Sequence, residues 1–458
     1  MSIEANPLAA ADPDAAATPR PVLSVWGATM ITVGIVIGAG IFQTPTLVAG
    51  IAGSGPMMMT AWVLGGLLSL IGALTYAELA STYPSAGGDY TFLTRAYGKN
   101  VSFLFAWARS LVICTGSIAL IGFILGDYLT RLWSLGPYSP AIYAGLATIV
   151  LTATNLLGLR ESVRMQSVLT TLEIAGVLLV ALAGALIGME GGQALAGSGG
   201  EASMGALGLA MVFVLLTYGG WNDAAYISAE VVGGPRAMLK TLVLSIAIIT
   251  TVYVIFVGSI WFAVGFEGLK ASQAIGVDVM EGAFGAIGGQ LIGAIVAISA
   301  LTSMNSTMIV GARTNYSVAR DWPIFGFMAD WRGERNLPIV GFIVQAAISL
   351  ALIAFGTIEK DGFSTMVEFT APVFWFFFML SGISLFVLRR KHPTRPRPFS
   401  VPLYPVLPAI FVCTCAYLLY SSVTYAQSQN AGFVAIAVVA VGAVVLAVLR
   451  LRESGRGS

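Results

Sequence analysis

The sequence predicts an all-α polytopic membrane protein with twelve transmembrane helices. Hydrophobic residues make up 57% of the chain and charged residues only 10%, against roughly 25% charged in an ordinary soluble domain. Twelve apolar stretches of about 18 or more residues are each long enough for a hydrocarbon core of roughly 30 Å. Glycines interrupt the first and sixth stretches, which predicts two discontinuous helices. The stretches are centred near Gly34, Leu68, Ile113, Ile149, Leu179, Met211, Val252, Ile298, Ala347, Phe376, Val412 and Val439.

The first stretch, Trp26 to Pro45, is apolar enough to span a bilayer, yet it is broken at Gly34, Gly38 and Gly40. Glycine costs a helix about 1 kcal/mol relative to alanine, so the pattern indicates an unwound turn. The N–H groups of Ala39 and Gly40 would then begin a second half-helix and favour an anion such as a carboxylate. Carbonyl groups near Val36 would suit an ammonium. The alternative is that the glycines only let another helix pack closely.

The sixth stretch begins near Gly205 and repeats this anomaly. Gly219 and Gly220 lie in its middle, beside the polar or amphipathic residues Tyr218, Trp221, Asn222 and Asp223. The two breaks lie about 180 residues apart, and five spans separate the start of each unit from the next. An odd number of spans inverts the second unit, which is the pattern of inverted-repeat secondary transporters.

Ionisable side chains inside or near the spans are candidate functional groups. Arg109 lies about two turns inside the third stretch, where a charge costs roughly 2.5–3.5 kcal/mol on insertion scales. It is a gate candidate. Glu78, near the end of the second stretch, either pairs with a basic group across a gate or is solvated at the helix end.

Glu173 lies about two turns inside the fifth stretch, and a carboxylate at that depth is by default a functional hypothesis. We expect Thr302 and Ser303, in the eighth stretch, to face it. Because burial disfavours the charged form, Glu173 is a candidate for coupling transport to a proton. A sodium ion held by the carboxylate and the two hydroxyls, simple exchange, and a purely structural hydrogen bond are the alternatives.

Basic residues predict the orientation, because cytoplasmic loops are rich in Lys and Arg. With both termini inside, only Arg131, Lys270 and Lys360 lie outside. Residues 1–20 read as a disordered cytoplasmic tail and not as a signal peptide. The cytoplasmic set is Arg20, Arg95, Lys99, Arg160, Arg164, Arg236, Lys240, Arg313, Arg320, Arg332, Arg335, Arg389, Arg390, Lys391, Arg395, Arg397, Arg450, Arg452 and Arg456.

The composition argues against several other function classes. Cys114, Cys413 and Cys415 all fall within spans and give neither a disulfide framework nor metal-ligand spacing. His392, the single histidine, lies in a basic loop, so no catalytic triad is available. No phosphate-cradling glycine and lysine motif is present. We therefore expect no cofactor, no metal, no nucleic acid and no enzymatic activity.

A glycine-rich loop from Glu190 to Ser203 divides the chain. The first repeat covers 21–190 (helices 1–5) and the second covers 204–391 (helices 6–10). Helices 11 and 12, in 402–450, are read as the periphery or as the surface of a homodimer, and 451–458 is a second cytoplasmic tail. The loop that carries Glu267, Lys270, Asp278 and Glu281 is expected to form an outer lid.

Five short motifs, in this order, carry a family resemblance. They are G-A-G-I-F at Gly38 to Phe42, P-S-A-G-G-D-Y at Pro84 to Tyr90, Glu230 followed by G-G-P-R at Gly233 to Arg236, S-V-A-R-D-W-P at Ser317 to Pro323, and the proline-rich run at Arg397 to Pro408. The chain thereby resembles bacterial members of the amino acid, polyamine and organocation transporter superfamily. The resemblance implies a ten-helix inverted-repeat core plus two peripheral helices.

The resemblance also implies a binding site between the two breaks and adds Glu230 to the gate candidates. The N–H groups of Ala39 and Gly40 would bind a substrate carboxylate, and carbonyls of Val36, Leu216 and Gly219 its amine. Leu216 stands where many members have an aromatic gate, and Glu173 stands where several carry a lysine in place of sodium. The substrate-binding candidates are Val36, Ile37, Gly38, Ala39, Gly40, Ile41, Leu216, Thr217, Tyr218, Gly219, Gly220, Trp221, Asn222 and Asp223.

Together these features predict a secondary active transporter of amino acids in the bacterial inner membrane, working by alternating access with proton coupling or exchange. A neutral substrate is favoured, while Asp223 leaves a cationic amino acid or polyamine open. Sodium coupling stays open as well, and an amino acid-sensing membrane receptor is the hypothesis that involves no transport. The expected partners are an amino acid, H+ or Na+, membrane lipids and a second copy of the chain.

Overall fold

A computed structural model describes residues 19–191, 204–272, 274–331, 337–357, 362–428 and 432–454. Within these ranges the chain is almost wholly helical, and an isolated bridge pairs Leu23 with Val231 in a strand-like manner. The all-α fold class is therefore confirmed. Most of the loop predicted at Glu190 to Ser203 lies outside the described residues, as do residues 1–18, Arg332, Arg335, Lys360 and the last four residues of the chain.

In the first half of the chain, the described residues form eight α-helices. They are α1 (Val25–Val36), α2 (Thr44–Ala52), α3 (Gly55–Thr82), α4 (Asp89–Tyr97), α5 (Lys99–Ala108), α6 (Cys114–Leu132), α7 (Ser139–Leu156) and α8 (Leu159–Gly191). A π-helical turn, Arg109–Ile113, joins α5 to α6 within one span.

In the second half, eight more α-helices lie within the described ranges. They are α9 (Met204–Thr217), α10 (Gly234–Ala271), α11 (Ile275–Phe284), α12 (Ala286–Asp321), α13 (Ile339–Gly356), α14 (Gly362–Lys391), α15 (Val406–Ser428) and α16 (Gly432–Ser454).

Ten helical stretches among the described residues are long and apolar enough to cross a membrane. Two shorter apolar helices, Val25–Val36 and Ala440–Leu451, accompany them. The first is α1, which ends early because its span is broken, and the second belongs to α16. This agrees with the twelve spans counted in the sequence.

Local sequence signals explain the entry to the first spans. Ser24 caps α1 by accepting a hydrogen bond from the N–H of Gly27 at 3.0 Å. Gly53 adopts φ 72° and ends α2, a backbone conformation that glycine adopts without strain. Ser54 then caps α3. The sharp turn between α2 and α3 is therefore built from a glycine that ends one helix, followed directly by a serine that caps the next.

The middle of the bundle is occupied by α1, which contacts α8, α10 and α12. The last two helices lie further out, because α15 packs on α14 and α3, and α16 packs on α5 and α14. We call the end of the bundle at which α1 begins the N-terminal end. There Val22 and Leu23 donate backbone hydrogen bonds to the carbonyl of Glu230 at 2.8 and 2.7 Å, and Val232 donates to Leu23 at 2.8 Å.

Three details differ from the sequence-based expectation. The seventh span, α10, only bends at Gly265, with φ 71° and ψ 173°, and continues to Ala271, so Glu267 and Lys270 of the expected lid loop belong to this helix. The expected lid loop contains a helix, α11. Arg313 is not a loop residue, since it lies fully buried within α12. It therefore carries no information about membrane orientation.

Candidate functional site

The first helix break lies where the glycines predict it. α1 ends at Val36, and Ile37 and Gly38 are extended, with ψ angles of 91° and −175°. A 3-10 turn, Ala39–Phe42, then leads into α2. Ala39 and Gly40 are its first two residues, so their N–H groups have no partner within the turn. Two backbone donors are thus left at the centre of the bundle.

The second break begins where α9 ends at Thr217, and a 3-10 turn, Trp221–Ile227, follows it. Gly220 joins the two with φ 109°. A Cβ atom at Gly220 would lie 2.6 Å from Cγ2 of Ile35 in α1. Only glycine therefore provides both the backbone conformation and the space that let the two breaks approach each other.

A tyrosine hydroxyl on α10 connects the two breaks. The Tyr253 hydroxyl lies 2.8 Å from the carbonyl oxygen of Val36 and 3.1 Å from that of Thr217. Its side chain is fully buried. Sequence reasoning missed this residue, because a single tyrosine in an apolar span gives no signal of which backbone group it contacts.

The side chains around the second break point in different directions. Thr217 donates a hydrogen bond to Thr44 at 2.8 Å, which holds α9 to α2. Tyr218 donates to the Trp62 carbonyl at 3.1 Å. Trp221 packs edge-on against Tyr76 at 5.3 Å between ring centroids. Tyr218 and Trp221 therefore both contact α3.

Openings and unpartnered groups remain at the breaks. Leu216 is 46% exposed, and a Cβ at Gly40 would meet only Cγ2 of Thr217, at 3.9 Å. The Asn222 side chain is buried, and its oxygen has no partner among the described residues. A buried acceptor of this kind calls for a ligand or water donor. The sequence predicts three further substrate-binding candidates at the first break. Ile37 and Ile41 are buried, and Gly38 is half-buried.

Glu173 lies fully buried between α8 and α12. Its Oε1 accepts a hydrogen bond from the Ser299 hydroxyl at 2.5 Å, and that hydroxyl also lies 3.5 Å from the carbonyl oxygen of Ile37. Its Oε2 has no partner among the described residues. The carboxyl group is therefore next to the first break and only half satisfied.

The hydroxyl that contacts Glu173 belongs to Ser299, and neither Thr302 nor Ser303 makes the expected contact. Thr302 donates to the carbonyl of Ile298 in its own helix at 2.7 Å. Ser303 donates to the carbonyl of Gly34 in the first span at 3.2 Å. The eighth-span hydroxyls thus do surround the break, but the residue beside the carboxyl group lies one turn earlier.

Arg109 and Asp223 form a buried ion pair, with Nη2 and Oδ1 2.9 Å apart. The arginine also donates to the Thr314 hydroxyl at 3.1 Å, and its Cζ lies 4.0 Å from the ring centroid of Tyr226. Arg109 opens the π-helical turn of the third span, and such turns are frequent at functional sites. This gate candidate therefore joins the third, sixth and eighth spans.

Asp89 extends this cluster toward the N-terminal end. It accepts hydrogen bonds from the hydroxyls of Tyr76 at 2.5 Å and Tyr226 at 2.9 Å. Because Tyr226 also faces Arg109, the two carboxylates are connected through one aromatic ring. Sequence reasoning placed Asp89 in a motif but assigned it no partner.

Glu230, the third gate candidate, forms a bidentate ion pair with Arg313. The two N···O distances are 2.5 and 2.8 Å, and both side chains are fully buried. Burying two charges is compensated only when the geometry is this favourable. The pair locks the segment after the second break to α12.

Glu78 is buried, so the interpretation of a solvated helix end is wrong. It accepts hydrogen bonds from Arg389 at 2.8 and 2.5 Å and from the N–H of Val401 at 2.7 Å. Arg397 lies 3.4 Å away. This network ties the second span to α14 and to the proline-rich run that follows it.

Comparisons with known proteins agree with this architecture. A family model described as "Amino acid permease" matches residues 23–446. The chain is 28% identical to the human cystine/glutamate transporter, over 91% of the chain and 83% of that protein. It is 24% identical to the serine/threonine exchanger SteT of Bacillus subtilis, over 86% and 89%. It is 26% identical to the mouse large neutral amino acids transporter small subunit 2, over 86% and 74%.

Removing the Tyr253 hydroxyl should destabilise the junction of the two breaks. We expect Tyr253→Phe to lower the free energy of unfolding by about 1–3 kcal/mol, because buried carbonyls of Val36 and Thr217 lose a donor. The control is Tyr138→Phe, since Tyr138 is 65% exposed. Thermal unfolding of purified protein would measure both, and equal stability of the two variants would contradict the assignment.

The buried pair of Glu230 and Arg313 should behave as one unit. We expect Glu230→Gln and Arg313→Gln each to cost about 3–5 kcal/mol, because each leaves a buried charge unpaired. The double variant should cost clearly less than the sum, as a double-mutant cycle of unfolding would detect. Lys270→Gln is the control, since its pair with Glu267 is exposed at 3.8 Å. Additive costs in the cycle would show that the pair is not coupled.

Proposed function

The chain belongs to the amino acid permease family, and from this membership we propose that it carries a neutral amino acid by alternating access, with Glu173 as the coupling residue. The chain is an integral membrane protein that transports amino acids, and its relatives are transporters rather than enzymes. The observation that carries the proposal is the meeting of two helix breaks in the middle of the bundle, next to a half-satisfied buried carboxyl group.

The substrate site lies between the two breaks. The N–H groups of Ala39 and Gly40 bind the carboxylate, because the start of the 3-10 turn leaves them without partners. Carbonyl groups of Val36, Leu216 and Gly219 accept hydrogen bonds from the amine. The Tyr253 hydroxyl already donates to the Val36 carbonyl. This bond fixes the direction of the carbonyl and leaves one of the lone pairs of its oxygen for the substrate amine.

Asn222 adds a side-chain acceptor to this site. Its buried oxygen has no partner among the described residues, and its amide donates to Asp223 at 3.3 Å. An ammonium group placed between the breaks would satisfy that oxygen. The proposed amine site thus includes an uncharged side-chain oxygen. In the sequence, Asn222 is a candidate only because it lies beside the second break.

The charges around the site favour a neutral substrate. A cationic amino acid or polyamine would need a free carboxylate, but Asp223 is already paired with Arg109, and Glu173 is assigned to coupling in this proposal. An acidic substrate would need a free arginine, but Arg109 is already engaged in the same ion pair. The Bacillus subtilis and mouse relatives carry serine or threonine and large neutral amino acids, according to their names. An exposed Leu216 in place of an aromatic gate leaves room for the substrate side chain.

Coupling is proposed to run through Glu173. Its orphan oxygen lies beside the first break, where the Ser299 hydroxyl also approaches the Ile37 carbonyl. Protonation would satisfy the orphan oxygen as a donor, so a proton can be taken up and released as the break rearranges. A sodium ion is the rival occupant, because these oxygens and the Ser303 and Gly34 oxygens are suitable ligands for a hard cation. Exchange without ion flux is the third possibility.

We further propose the bacterial inner membrane as the location, with both termini in the cytoplasm. The basic loop residues support this orientation even without Arg313. The proposed division is two inverted repeats, 21–190 and 204–391, followed by the peripheral pair in 402–450. Lipids and a second copy of the chain would contact the outer helices α15 and α16.

Blocking the first break should abolish transport while leaving the fold intact. In proteoliposomes we expect wild type to show saturable uptake that internal substrate stimulates, and Gly40→Val to lack it. Valine would cover the free N–H groups, whose charge-assisted hydrogen bonds contribute about 1.5–3 kcal/mol. Gly50→Val is the matched control, because nothing lies within 4 Å of a Cβ at that position. Unchanged substrate affinity of Gly40→Val in calorimetry would place the site elsewhere.

Glu173→Gln tests the coupling mechanism, because glutamine mimics the protonated form. Under proton coupling, uptake driven by a pH gradient should disappear while exchange at equal concentrations survives. Under sodium coupling, wild-type uptake should instead require a sodium gradient at fixed pH. Glu267→Gln, at an exposed position, is the control. If Glu173→Gln accumulates substrate with wild-type pH and sodium dependence, Glu173 is a structural residue.

A further inference from the structure

A polar cleft opens on the N-terminal end of the bundle, outside the substrate site. Its cavity volume is about 440 Å³. Three parts of the chain form its walls: the loop and helix from Pro84 to Arg95, the end of α12 from Tyr316 to Asp321, and Ala229 after the second break. Pro19, ahead of α1, contributes one edge. The cleft therefore includes Ala229, the residue next to Glu230, whose ion pair with Arg313 holds this segment to α12.

Two arginines in the cleft offer their N–H groups to a ligand. The guanidinium of Arg95 lies 5.0 Å from the ring centroid of Tyr83, and that of Arg320 lies 5.9 Å from the centroid of Tyr316. Contact with an aromatic ring holds a guanidinium in place and leaves N–H groups available, although Arg320 also uses one of them on the Tyr316 hydroxyl. Neither arginine has a carboxylate partner within the described ranges.

The loop at the start of α4 adds neutral donors. The Ser85 oxygen accepts hydrogen bonds from the Thr91 hydroxyl at 2.8 Å and from the N–H of Gly87 at 3.0 Å. Because both of these bonds use its lone pairs, the Ser85 hydroxyl proton remains available. The serine is thus arranged to donate to a further acceptor at the cleft wall.

Among the described residues that line the cleft, the one carboxylate is already engaged. Asp321 accepts a hydrogen bond from the Tyr90 hydroxyl at 2.8 Å, and Lys99 lies 3.6 Å from it. Burial and the neighbouring Asp321 raise the pKa of Tyr90, so this hydroxyl stays protonated and keeps donating. Ser317 uses its proton on the carbonyl of Arg313 at 3.0 Å. Positive charge therefore predominates over the free lining of the cleft.

We propose that this cleft binds a phosphate group, carried either by a soluble phosphate ester or by the headgroup of an anionic lipid. Arginine pairs with phosphate through two parallel hydrogen bonds, and two arginines with a serine hydroxyl can satisfy several phosphate oxygens at once. A lone amino acid carboxylate would leave part of this donor set unused. The cavity is larger than inorganic phosphate requires, which leaves room for the organic part of the ligand.

Occupation of the cleft has a consequence that rests on the proposed function. Arg95 and Arg320 belong to different elements, and Ala229 belongs to the segment that carries Glu230. Alternating access requires these elements to separate when this end opens. A phosphate that bridges the two arginines would hold them together, so it would slow transport without touching the substrate site.

The binding test uses pyrophosphate as the soluble probe and full-length protein in detergent. We compare wild type with the double variant Arg95→Lys/Arg320→Lys, which keeps both positive charges and so preserves the orientation signal. The matched control is Arg160→Lys/Arg164→Lys, at exposed positions at the start of α8. Pyrophosphate should raise the unfolding temperature of wild type and the control relative to chloride at equal ionic strength. The Arg95/Arg320 variant should need at least about tenfold more pyrophosphate for the same shift.

The lipid arm uses vesicles of phosphatidylcholine with and without phosphatidylglycerol. If a lipid headgroup is the ligand, phosphatidylglycerol should reduce the wild-type exchange rate and leave the Arg95/Arg320 variant unaffected. If a soluble ester is the ligand, only pyrophosphate should act. The proposal is overturned if neither probe distinguishes wild type from the Arg95/Arg320 variant, or if the control loses its response equally. The pyrophosphate-dependent shift in unfolding temperature needs no transport activity. A failure of the proposed transport function would therefore leave this shift unchanged, and the two failures can be told apart.

Discussion

Backbone groups that leave a helix in the middle of a membrane must find partners, and the centre of this protein is arranged around that requirement. Hydrocarbon offers no hydrogen bonds, so each unwound turn must face protein or a cavity. One buried hydroxyl, on Tyr253, serves carbonyls from both breaks. Among the described residues, the donors of Ala39 and Gly40 have no such partner, and we propose that this imbalance is what attracts the negative end of a ligand.

The charged side chains follow a related logic. Among the described residues, the buried arginines and most buried carboxylates are paired, through Arg109 with Asp223, Glu230 with Arg313 and Glu78 with Arg389. Asp89 is instead satisfied by the hydroxyls of Tyr76 and Tyr226, and only Glu173 among the described carboxylates in this buried set keeps one oxygen unsatisfied. Paired charges cost free energy to separate, so they favour one arrangement of this end of the bundle. An unpaired carboxyl group is instead sensitive to what enters beside it.

Much of the fold could be predicted because its signals are local. Glycines in an apolar stretch mark the breaks, and the apolar lengths mark the spans. The partners of the buried groups could not be predicted, since Arg109 and Asp223 come together only through the packing of two distant spans. Ser299, Thr302 and Ser303 show the limit within one helix. Residues three and four apart share a helical face, so the sequence indicated the correct face but not the depth at which Glu173 lies. Arg313 was misplaced for a similar reason, because α12 continues beyond the apolar stretch.

The backbone bridge between the segment before α1 and the residues after the second break also bears on biosynthesis. Leu23 pairs with the carbonyl of Glu230 and the N–H of Val232, so its partners are translated only after the whole first half of the chain. Chains are synthesised from the N-terminus, and earlier segments begin to fold first. The first span must therefore enter the membrane before the hydrogen bonds at its start can form. The Val36 carbonyl likewise has no bond to Tyr253 at that stage. These contacts at the two ends of the first helix are consequently among the later ones to form, although it is the first helix to be made.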